Sequence, residues 1–131
     1  MIFADTSFWI ALALRRHRRH QDAVRLWNQR TGEVVVTDHI LGETWTFLRK
    51  RDSHRVAVEA IDRMLATNAL TVVPIDAAAE TEAWRWLRRH DERRYSFVDA
   101  CSFATMRRLR IRDVLAFDDD FAAAGFTVLR Q

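Results

Sequence analysis

Four acidic residues stand where a carboxylate could do chemistry, and the first of them is Asp5. It follows the short apolar run Ile2–Ala4 and precedes two hydroxyl residues, Thr6 and Ser7. An apolar run this short before two capping residues predicts a buried strand that ends at Asp5 and a helix that begins directly after it. Ligands bind at the carboxyl ends of strands in open parallel sheets, so Asp5 could act on a ligand. The same position also suits an acid that only caps the helix.

Asp99 is the second informative acid, because its spacing places it on an apolar helix face. Phe103 follows it by four residues and Met106 by seven, so the carboxylate is expected to point inward. Burial of an unpaired carboxylate is strongly unfavourable, and Asp99 therefore needs a partner. A second interpretation is a capping box, in which Ser96 caps the helix and the Asp99 side chain bonds back to it.

The other two acids are Glu43 and Asp118. Glu43 lies at the margin of the apolar side of its predicted helix, a position that a solvated glutamate can also occupy. Asp118 ends a predicted strand as Asp5 does, and it opens the acidic run at residues 118–120, one of which caps the following turn. The carboxyl ends of parallel strands and the starts of the helices that follow them lie at one sheet edge. We therefore expect all four acids to converge on one cleft.

Such a cluster of carboxylates calls for a cation. Two ionised carboxylates about 4 Å apart repel each other by roughly 4 kcal/mol at an effective dielectric constant near 20. The cluster must therefore take up protons or hold a positive ion. Ligands that are all oxygens favour Mg²⁺ or Mn²⁺, largely hydrated and shared with a substrate phosphate.

The elements that must position these acids alternate along the chain. Apolar, partly β-branched runs predict strands at residues 2–4, 33–37, 70–73, 114–117 and 126–129. Amphipathic segments predict helices at residues 7–14, 21–30, 38–51, 53–65, 76–90 and 96–110, with Asp38, Ser53, Asp76 and Ser96 at their starts. This alternation implies right-handed crossovers and a parallel sheet with helices on both faces.

Composition narrows the class of protein. A chain of 131 residues, 49% hydrophobic and 30% charged, is expected to form one soluble domain, and no apolar run approaches the roughly 18 residues of a membrane span. The opening lacks the pattern of a signal peptide and Cys101 has no cysteine partner, so we expect a cytoplasmic protein. All but one of the 21 basic residues are arginines, which fits a nucleic-acid partner and equally fits an arginine-rich codon bias.

Four short blocks of sequence carry a family resemblance. They are the N-terminal hydrophobic-x-Asp-Thr-Ser, Leu41-Gly42-Glu43 at a mid-chain helix, Ser96-Phe97-Val98-Asp99-Ala100, and Phe117-Asp118 with Phe121 near the end. In this order they resemble the PIN domain family, and more narrowly its VapC-type ribonuclease toxins of type II toxin–antitoxin pairs. The resemblance covers essentially the whole chain.

The resemblance implies a PIN-like three-layer α/β/α sandwich with a central parallel sheet of four to five strands, in one domain over residues 1–131. It implies a Mg²⁺- or Mn²⁺-dependent endoribonuclease whose metal and catalytic residues are Asp5, Glu43, Asp99 and Asp118. Ser7 matches the family's hydroxyl that orders the cluster, and Ser96 and Asp120 are further supporting candidates. Ala116 departs from the Thr or Ser that the family often has there, which leaves the choice between Asp118 and Asp120 open.

Partners also follow from the resemblance: an RNA substrate, a cognate antitoxin whose tail enters the active cleft, and a second copy in a homodimer. The basic stretches at residues 15–19 and 49–51 are candidates for RNA contacts. Trp84 and Trp86 lie two apart on one helix and cannot face the same way, so one is expected to be exposed to a partner.

Competing interpretations belong to other classes. A phosphoacceptor receiver domain needs a lysine after a late strand, whereas the sole lysine is Lys50. A haloacid-dehalogenase-type phosphatase needs Asp-x-Asp-x-Thr at the first strand, and Ser7 breaks that pattern. The remaining alternative is a non-catalytic RNA-binding or scaffold protein on a PIN-like fold, which would not need all four acids.

Overall fold

A computed structural model describes residues 1–130, which form five strands and seven helices. The strands are β1 (Ile2–Ala4), β2 (Val34–Thr37), β3 (Leu70–Val73), β4 (Asp113–Leu115) and β5 (Thr127–Val128). The helices are α1 (Thr6–Ala13), α2 (His20–Gln29), α3 (Asp38–Arg51), α4 (His54–Ala66), α5 (Ala77–Arg89), α6 (Phe97–Leu109) and α7 (Asp120–Ala123). None of these helices is both long and apolar enough to cross a membrane.

The order of the strands fixes where a site can form. All neighbouring strands are parallel, in the order β3-β2-β1-β4-β5. From β1 the chain builds outward through β2 to β3, and then returns to add β4 and β5 on the other side. With right-handed crossovers, this reversal puts α1 to α4 on one face and α5 to α7 on the opposite face. The predicted three-layer sandwich is confirmed, and its topological switch point lies between the carboxyl ends of β1 and β4.

Helix packing agrees with these layers, since α1 contacts α2 and α3, α3 contacts α4, and α5 packs on α6. On the α5–α7 face the core is built around Phe103, which is fully buried. Its ring lies 5.0 Å from the rings of Trp86 and Phe121 and 5.5 Å from that of Phe126, between centroids. Aromatic packing of this kind stabilises beyond the area it buries. The α6 helix, which carries Asp99, is thereby anchored against the sheet.

Most helix starts follow the predicted capping signals. The side chains of Ser53, Asp76 and Ser96 each accept a hydrogen bond from a backbone N–H in the first turn of α4, α5 and α6. The β4 strand ends two residues earlier than its apolar run suggests. The reason is that the Phe117 N–H donates to the Ser7 hydroxyl, at 3.0 Å, and leaves the sheet ladder.

The start of α3 differs from the prediction that Asp38 is its cap. Thr37 has an extended backbone and its hydroxyl accepts from the Ile40 N–H at 3.1 Å, so Thr37 is the cap. Asp38 already belongs to the helix, and its carboxylate accepts a hydrogen bond from the Ile75 N–H at 3.1 Å. The acid therefore ties the start of α3 to the segment after β3.

Truncation of the central ring tests this core. Phe103→Ala should lower the free energy of unfolding by about 3–5 kcal/mol, because it removes a fully buried ring and leaves a cavity. Urea denaturation followed by circular dichroism measures the change. Leu65→Ala is the control, since Leu65 is 58% exposed and its loss should change stability by less than about 0.5 kcal/mol. Equal effects of the two substitutions would contradict the assigned core.

Candidate active site

Asp5 occupies the junction of β1 and α1, at the switch point of the sheet. Its backbone N–H donates to the Leu115 carbonyl of the neighbouring strand at 2.9 Å, and its side chain is almost completely buried. Asp5 Oδ2 accepts hydrogen bonds from the Ser7 backbone N–H at 3.2 Å and from the Ser7 hydroxyl at 2.8 Å. The first of these bonds caps α1, as the simpler interpretation required. A capping carboxylate does not need to be buried, so capping alone does not explain the position of Asp5.

Ser7 joins the two strand ends that form the switch point. Its hydroxyl donates to Asp5 and accepts from the Phe117 N–H at 3.0 Å. Phe117 directly precedes Asp118, so one hydroxyl sets the distance between the residues after β1 and the residues after β4. The structure thus places Ser7 where it can order the acids, which is the position the family resemblance implied.

Asp118 faces Asp5 across the switch point. Its Oδ1 accepts from the Asp120 N–H at 3.1 Å, and the carboxyl groups of Asp5 and Asp118 are near enough for each to shift the pKa of the other. Burial raises the pKa of Asp5 well above its usual range, and the charge of Asp118 raises it further. Burial likewise raises the pKa of Asp118, although the hydrogen bonds with the Asp120 backbone and the Asp5 side chain oppose the shift.

Asp99 satisfies both interpretations of its position. The Ser96 hydroxyl accepts from the Asp99 N–H at 3.0 Å while Asp99 Oδ2 accepts from the Ser96 N–H at 3.0 Å, which is a complete capping box. The same side chain is half-buried, and this burial raises the pKa of its carboxyl group to about 6, with added repulsion from Asp118 and Asp120. Asp99 therefore caps α6 and belongs to the acid cluster at once.

Glu43 is the fourth predicted site acid, and among the described residues no interaction connects it to the other three. It is exposed on α3, and within residues 1–130 no hydrogen bond joins it to another acid. It is also absent from the charges that shift the pKa values of Asp5, Asp99 and Asp118. Interactions between carboxyl groups are thus seen for three of the four acids that were expected to converge. Its role in the site stays a prediction.

Asp120 is engaged by a cation that sequence reasoning missed. Its Oδ1 lies 2.9 Å from the Nε of Arg93, which belongs to the loop between α5 and α6. This pairing turns the charge of Asp120 toward Arg93, whereas Asp118 is the acid that faces Asp5, so the geometry favours Asp118 over Asp120. No sequence signal singles out Arg93, because its neighbour Arg94 has the same charge and the same polar surroundings.

The donor set fits one kind of metal. Among residues 1–130, no three Asp, Glu, His or Cys side chains form a ready-made cage for an ion. Mg²⁺ does not require such a cage, since it keeps several waters and is usually held by one or two carboxylates together with substrate phosphates. Asp5 and Asp118, with Asp99 beside them, offer only oxygens in a crowded, partly buried cleft. They suit a hydrated Mg²⁺ or Mn²⁺ and lack the nitrogen and sulfur ligands typical of zinc.

A separate groove of about 1130 Å³ runs between α1, α2, α3 and α4. Its lining combines aromatic residues such as Trp27 and Phe47 with arginines that include Arg15, Arg16 and Arg51. Parts of both basic stretches predicted to contact RNA therefore border one groove. None of the three clustered aspartates lines it.

Comparison with known proteins identifies the class. A family model described as the PIN domain matches residues 2–127, and the chain belongs to the PIN domain family. A toxin–antitoxin complex from Klebsiella pneumoniae, only 16% identical, shares this fold with a TM-score of 0.68 over 98% of this chain and 96% of that one.

Closer relatives are VapC toxins. The chain is 52% identical to the 23S rRNA-specific endonuclease VapC20 of Mycobacterium tuberculosis over 130 residues, which are 99% of this chain and 98% of the relative. The crystal structure of that VapC20, a sarcin-ricin loop cleaving toxin, matches with a TM-score of 0.96 and 49% identity over the full length of both chains. The predicted fold, the family resemblance and the predicted class of function, an endoribonuclease of the toxin–antitoxin kind, are thereby confirmed.

The bridging hydroxyl can be tested against a matched serine. Ser7→Ala should lower the free energy of unfolding by about 1–3 kcal/mol, because it leaves the Phe117 N–H without a partner and removes the hydroxyl bond to the buried Asp5 carboxylate, which keeps only the backbone N–H of residue 7. Thermal unfolding measures the loss. The control is Ser102→Ala, since the Ser102 hydroxyl is buried without a hydrogen-bond partner among the described residues and its removal should be close to neutral. A neutral Ser7→Ala would show that the hydroxyl does not hold the strand ends together.

The raised pKa of Asp99 predicts how stability depends on pH. In the folded protein the pKa is about 6 and the usual value is 3.8, so the folded state binds the proton more tightly. The contribution of Asp99 to the stability of the metal-free protein should then fall as the pH rises from about 4 through about 6, by about 2 kcal/mol after allowance for solvent screening. Asp99→Asn keeps an acceptor for the Ser96 N–H but removes the charge.

We therefore expect Asp99→Asn to raise the melting temperature of the metal-free protein at pH 7 and to change it much less at pH 4. Differential scanning calorimetry at both values, in the presence of chelator, measures the difference. Asp113→Asn is the control, because Asp113 lies at the other end of β4. A lower melting temperature for Asp99→Asn at pH 7 would contradict the crowding of charge at the cluster.

Proposed function

We propose that this chain is the toxin of a toxin–antitoxin pair and that it hydrolyses a phosphodiester bond in the sarcin–ricin loop of 23S rRNA with the help of Mg²⁺ or Mn²⁺. The proposal takes its substrate from VapC20, to which the chain is 52% identical over nearly the full length of both. Residues 1–131 would act as one domain. The alternative, a non-catalytic RNA-binding or scaffold protein, shares the fold but has no use for a buried acid cluster.

The observation that carries the proposal is the crowding of Asp5, Asp99 and Asp118 at the switch point. Burial raises the pKa of all three carboxyl groups, and the charges of neighbouring aspartates add to this effect, which destabilises the fold and is useful for holding a cation. We propose that these three residues hold the metal and that Glu43 is the fourth acid of the site. When bound, a divalent cation supplies an activated water and neutralises the charge that develops on the phosphate.

The chain's own groups prepare this site. The Ser7 hydroxyl holds Asp5 Oδ2 and the Ser96 N–H holds Asp99 Oδ2, so each carboxylate has a fixed orientation before substrate arrives. Arg93 pairs with Asp120 and offsets a negative charge beside the cleft. Such preorganisation means that little rearrangement is needed at the moment of reaction. A cleft of carboxylates repels RNA, so arginines outside it must bind the phosphate backbone.

Three further proposals concern the setting of this activity. A cognate antitoxin protein would inhibit the toxin by entering the active cleft, since both the family resemblance and the VapC relative belong to toxin–antitoxin systems. The active form would be a homodimer. The protein would act in the cytoplasm, where an rRNA substrate is found.

Cleavage of a hairpin RNA that carries the sarcin–ricin loop tests the activity. The parent protein should cut it at one site with Mg²⁺ or Mn²⁺ and not with chelator, while Asp5→Asn or Asp118→Asn should lower kcat by about 100-fold or more. Single-turnover kinetics on a labelled hairpin measure this. Asp119→Asn is the matched control, because Asp119 is exposed and its side chain makes no capping bond.

The same cleavage assay tests whether Glu43 belongs to the active site. We expect Glu43→Gln to reduce kcat while thermal unfolding stays at the parent value, because the residue is exposed on α3. An unchanged kcat would remove Glu43 from the site. Metal-dependent cutting that survives both Asp5→Asn and Asp118→Asn would refute the proposed active site and favour the non-catalytic alternative.

A further inference from the structure

One arginine is connected to the acid cluster by two consecutive hydrogen bonds. The Asp120 backbone N–H donates to Asp118 Oδ1 at 3.1 Å, and Asp120 Oδ1 in turn accepts from Arg93 Nε at 2.9 Å. Burial raises the pKa of Asp99 and Asp118, and the charge of Asp120 raises both further, so the Asp120 carboxylate lies near both groups. Arg93 therefore lies at the rim of the cluster, with Asp120 between it and Asp118.

Most of the Arg93 guanidinium is free to bind a ligand. An arginine side chain has five N–H donors, and in Arg93 only the one on Nε has an acceptor among residues 1–130. The side chain is 39% exposed, so a ligand can approach it. The N–H groups on the two terminal nitrogens form a fork that matches the oxygens of a phosphate. Arg93 can thus hold Asp120 and a phosphate at the same time.

The loop that carries Arg93 is anchored to the core. Two residues after Arg93, the ring of Tyr95 packs against the rings of Trp86 and Phe103, with centroids 4.7 and 5.7 Å away. Trp86 thus faces the core, whereas Trp84 of the same helix is 44% exposed, as their spacing predicted. Because the loop is anchored at Tyr95 and the Arg93 side chain is held by its acid partner, little ordering is needed when Arg93 binds a ligand.

The position of Arg93 favours a phosphate as its further partner. The charge of the loop alone does not decide this, because Asp91 and Glu92 directly precede Arg93 and a second copy of the chain could use charges of either sign. Under the proposed function, however, a phosphodiester must enter the cleft of aspartates to be cut. The neighbouring phosphates of the same strand then lie at the rim of this cleft, where Arg93 offers its free donors.

We propose that Arg93 binds a phosphate of the RNA substrate within one nucleotide of the bond that is cut, and thereby positions that bond at the acid cluster. This inference rests on the proposed function. Contacts to phosphates set the register of a nucleic acid on a protein without reading its sequence. The hydrogen bond to Asp120 orients the guanidinium before the RNA arrives.

A thermodynamic cycle between Arg93 and single phosphates tests this contact. The probe is a hairpin RNA with the sarcin–ricin loop in which one phosphate at a time is replaced by an uncharged methylphosphonate on a 2′-deoxy nucleotide. It is bound to Asp5→Asn protein with Mg²⁺, so that it is not cut, and compared with the same deoxy hairpin that has a normal phosphate. Within one nucleotide of the cut, the replacement should weaken binding by about 10-fold with Arg93 present and much less after Arg93→Gln.

The neighbouring arginine provides the matched control. Arg94→Gln removes the same charge from a residue that is exposed and forms no ion pair within residues 1–130. With Asp5 intact, Arg93→Gln should raise KM for the unmodified hairpin by about 10-fold, and Arg94→Gln should raise it much less. Arg93→Lys keeps the charge but lacks the fork, so it should recover only part of the loss.

A second background separates contact with RNA from an effect through Asp120. In Asp120→Asn protein the ion pair is already absent, so Arg93→Gln can no longer expose an unpaired carboxylate beside the cluster. It should still raise KM there, because the contact with the phosphate is lost. Thermal unfolding and molar mass in solution are measured for every variant.

Each outcome has one meaning. Failure of the parent to cut RNA refutes the proposed function. Cutting by the parent without coupling between Arg93 and any phosphate, or with coupling only farther than one nucleotide from the cut, refutes the contact and leaves the proposed function intact. Equal KM values for Arg93→Gln and Arg94→Gln also refute it, as does an Arg93→Gln that has no effect in Asp120→Asn protein.

Two further measurements close the remaining routes. A fall in molar mass in Arg93→Gln, without coupling to a phosphate, would assign Arg93 to contact between two copies and overturn the proposal. If Arg93→Gln does not fold, the methylphosphonate scan is made with Arg93→Lys, whose coupling to the phosphate should be weaker than that of the parent arginine. Equal coupling for lysine and arginine would refute a contact through the fork.

Discussion

Repulsion between buried carboxylates is the constraint on which this molecule depends. Asp5 and Asp118 follow two strands that are hydrogen-bonded neighbours, paired Phe3 with Val114 and Ala4 with Leu115, so the two acids cannot move apart without breaking the sheet. A charge held in place by the backbone must be offset by a proton, a partner or a cation. The chain provides only partial compensation through Ser7, and the remainder is left for a ligand. In the proposed function, a bound cation would provide the rest of this compensation.

Other parts of the fold must offset the unfavourable free energy of this repulsion. A domain of this size has a net stability of about 5–15 kcal/mol, and a repulsion of a few kcal/mol is a large share of it. The compensation comes from elsewhere in the chain: a central sheet with residues 34–36 of β2 completely enclosed, and the aromatic rings packed around Phe103. Helix α6 belongs to both regions: its Phe103 packs in the aromatic core, and its Asp99 belongs to the acid cluster.

Local signals explain how much of this could be predicted from the sequence. The bounds of β3 and the starts of α4, α5 and α6 follow from turn and capping residues that act within three or four positions, and all agree with the structure. The predicted cap of α3, Asp38, is wrong. Thr37 and Asp38 are both residues that cap helices well, and only the backbone conformation shows that Thr37 is the cap. The placement of Asp5 and Asp118 could be anticipated because strand ends in a parallel sheet share an edge.

Features made by distant segments could not be anticipated. The pairing of Arg93 with Asp120 depends on how a loop folds over a helix from elsewhere in the chain, and composition carries no record of it. The stacking of Trp84 on Phe97 is of the same kind, since spacing predicted only that one of two tryptophans would be exposed. Glu43 stays a prediction: its sequence block is right for the family, but its side chain is exposed on α3 and no local pattern encodes how it meets the other acids.

The double duty of Asp99 has a consequence for how such a gene can decay. An amide in place of this carboxylate would preserve the reciprocal bonding with Ser96 while it relieves the crowding of charge, and a single G-to-A transition converts an aspartate codon to one for asparagine. Under the proposed function, one base change would thus give an allele that is inactive and still well folded.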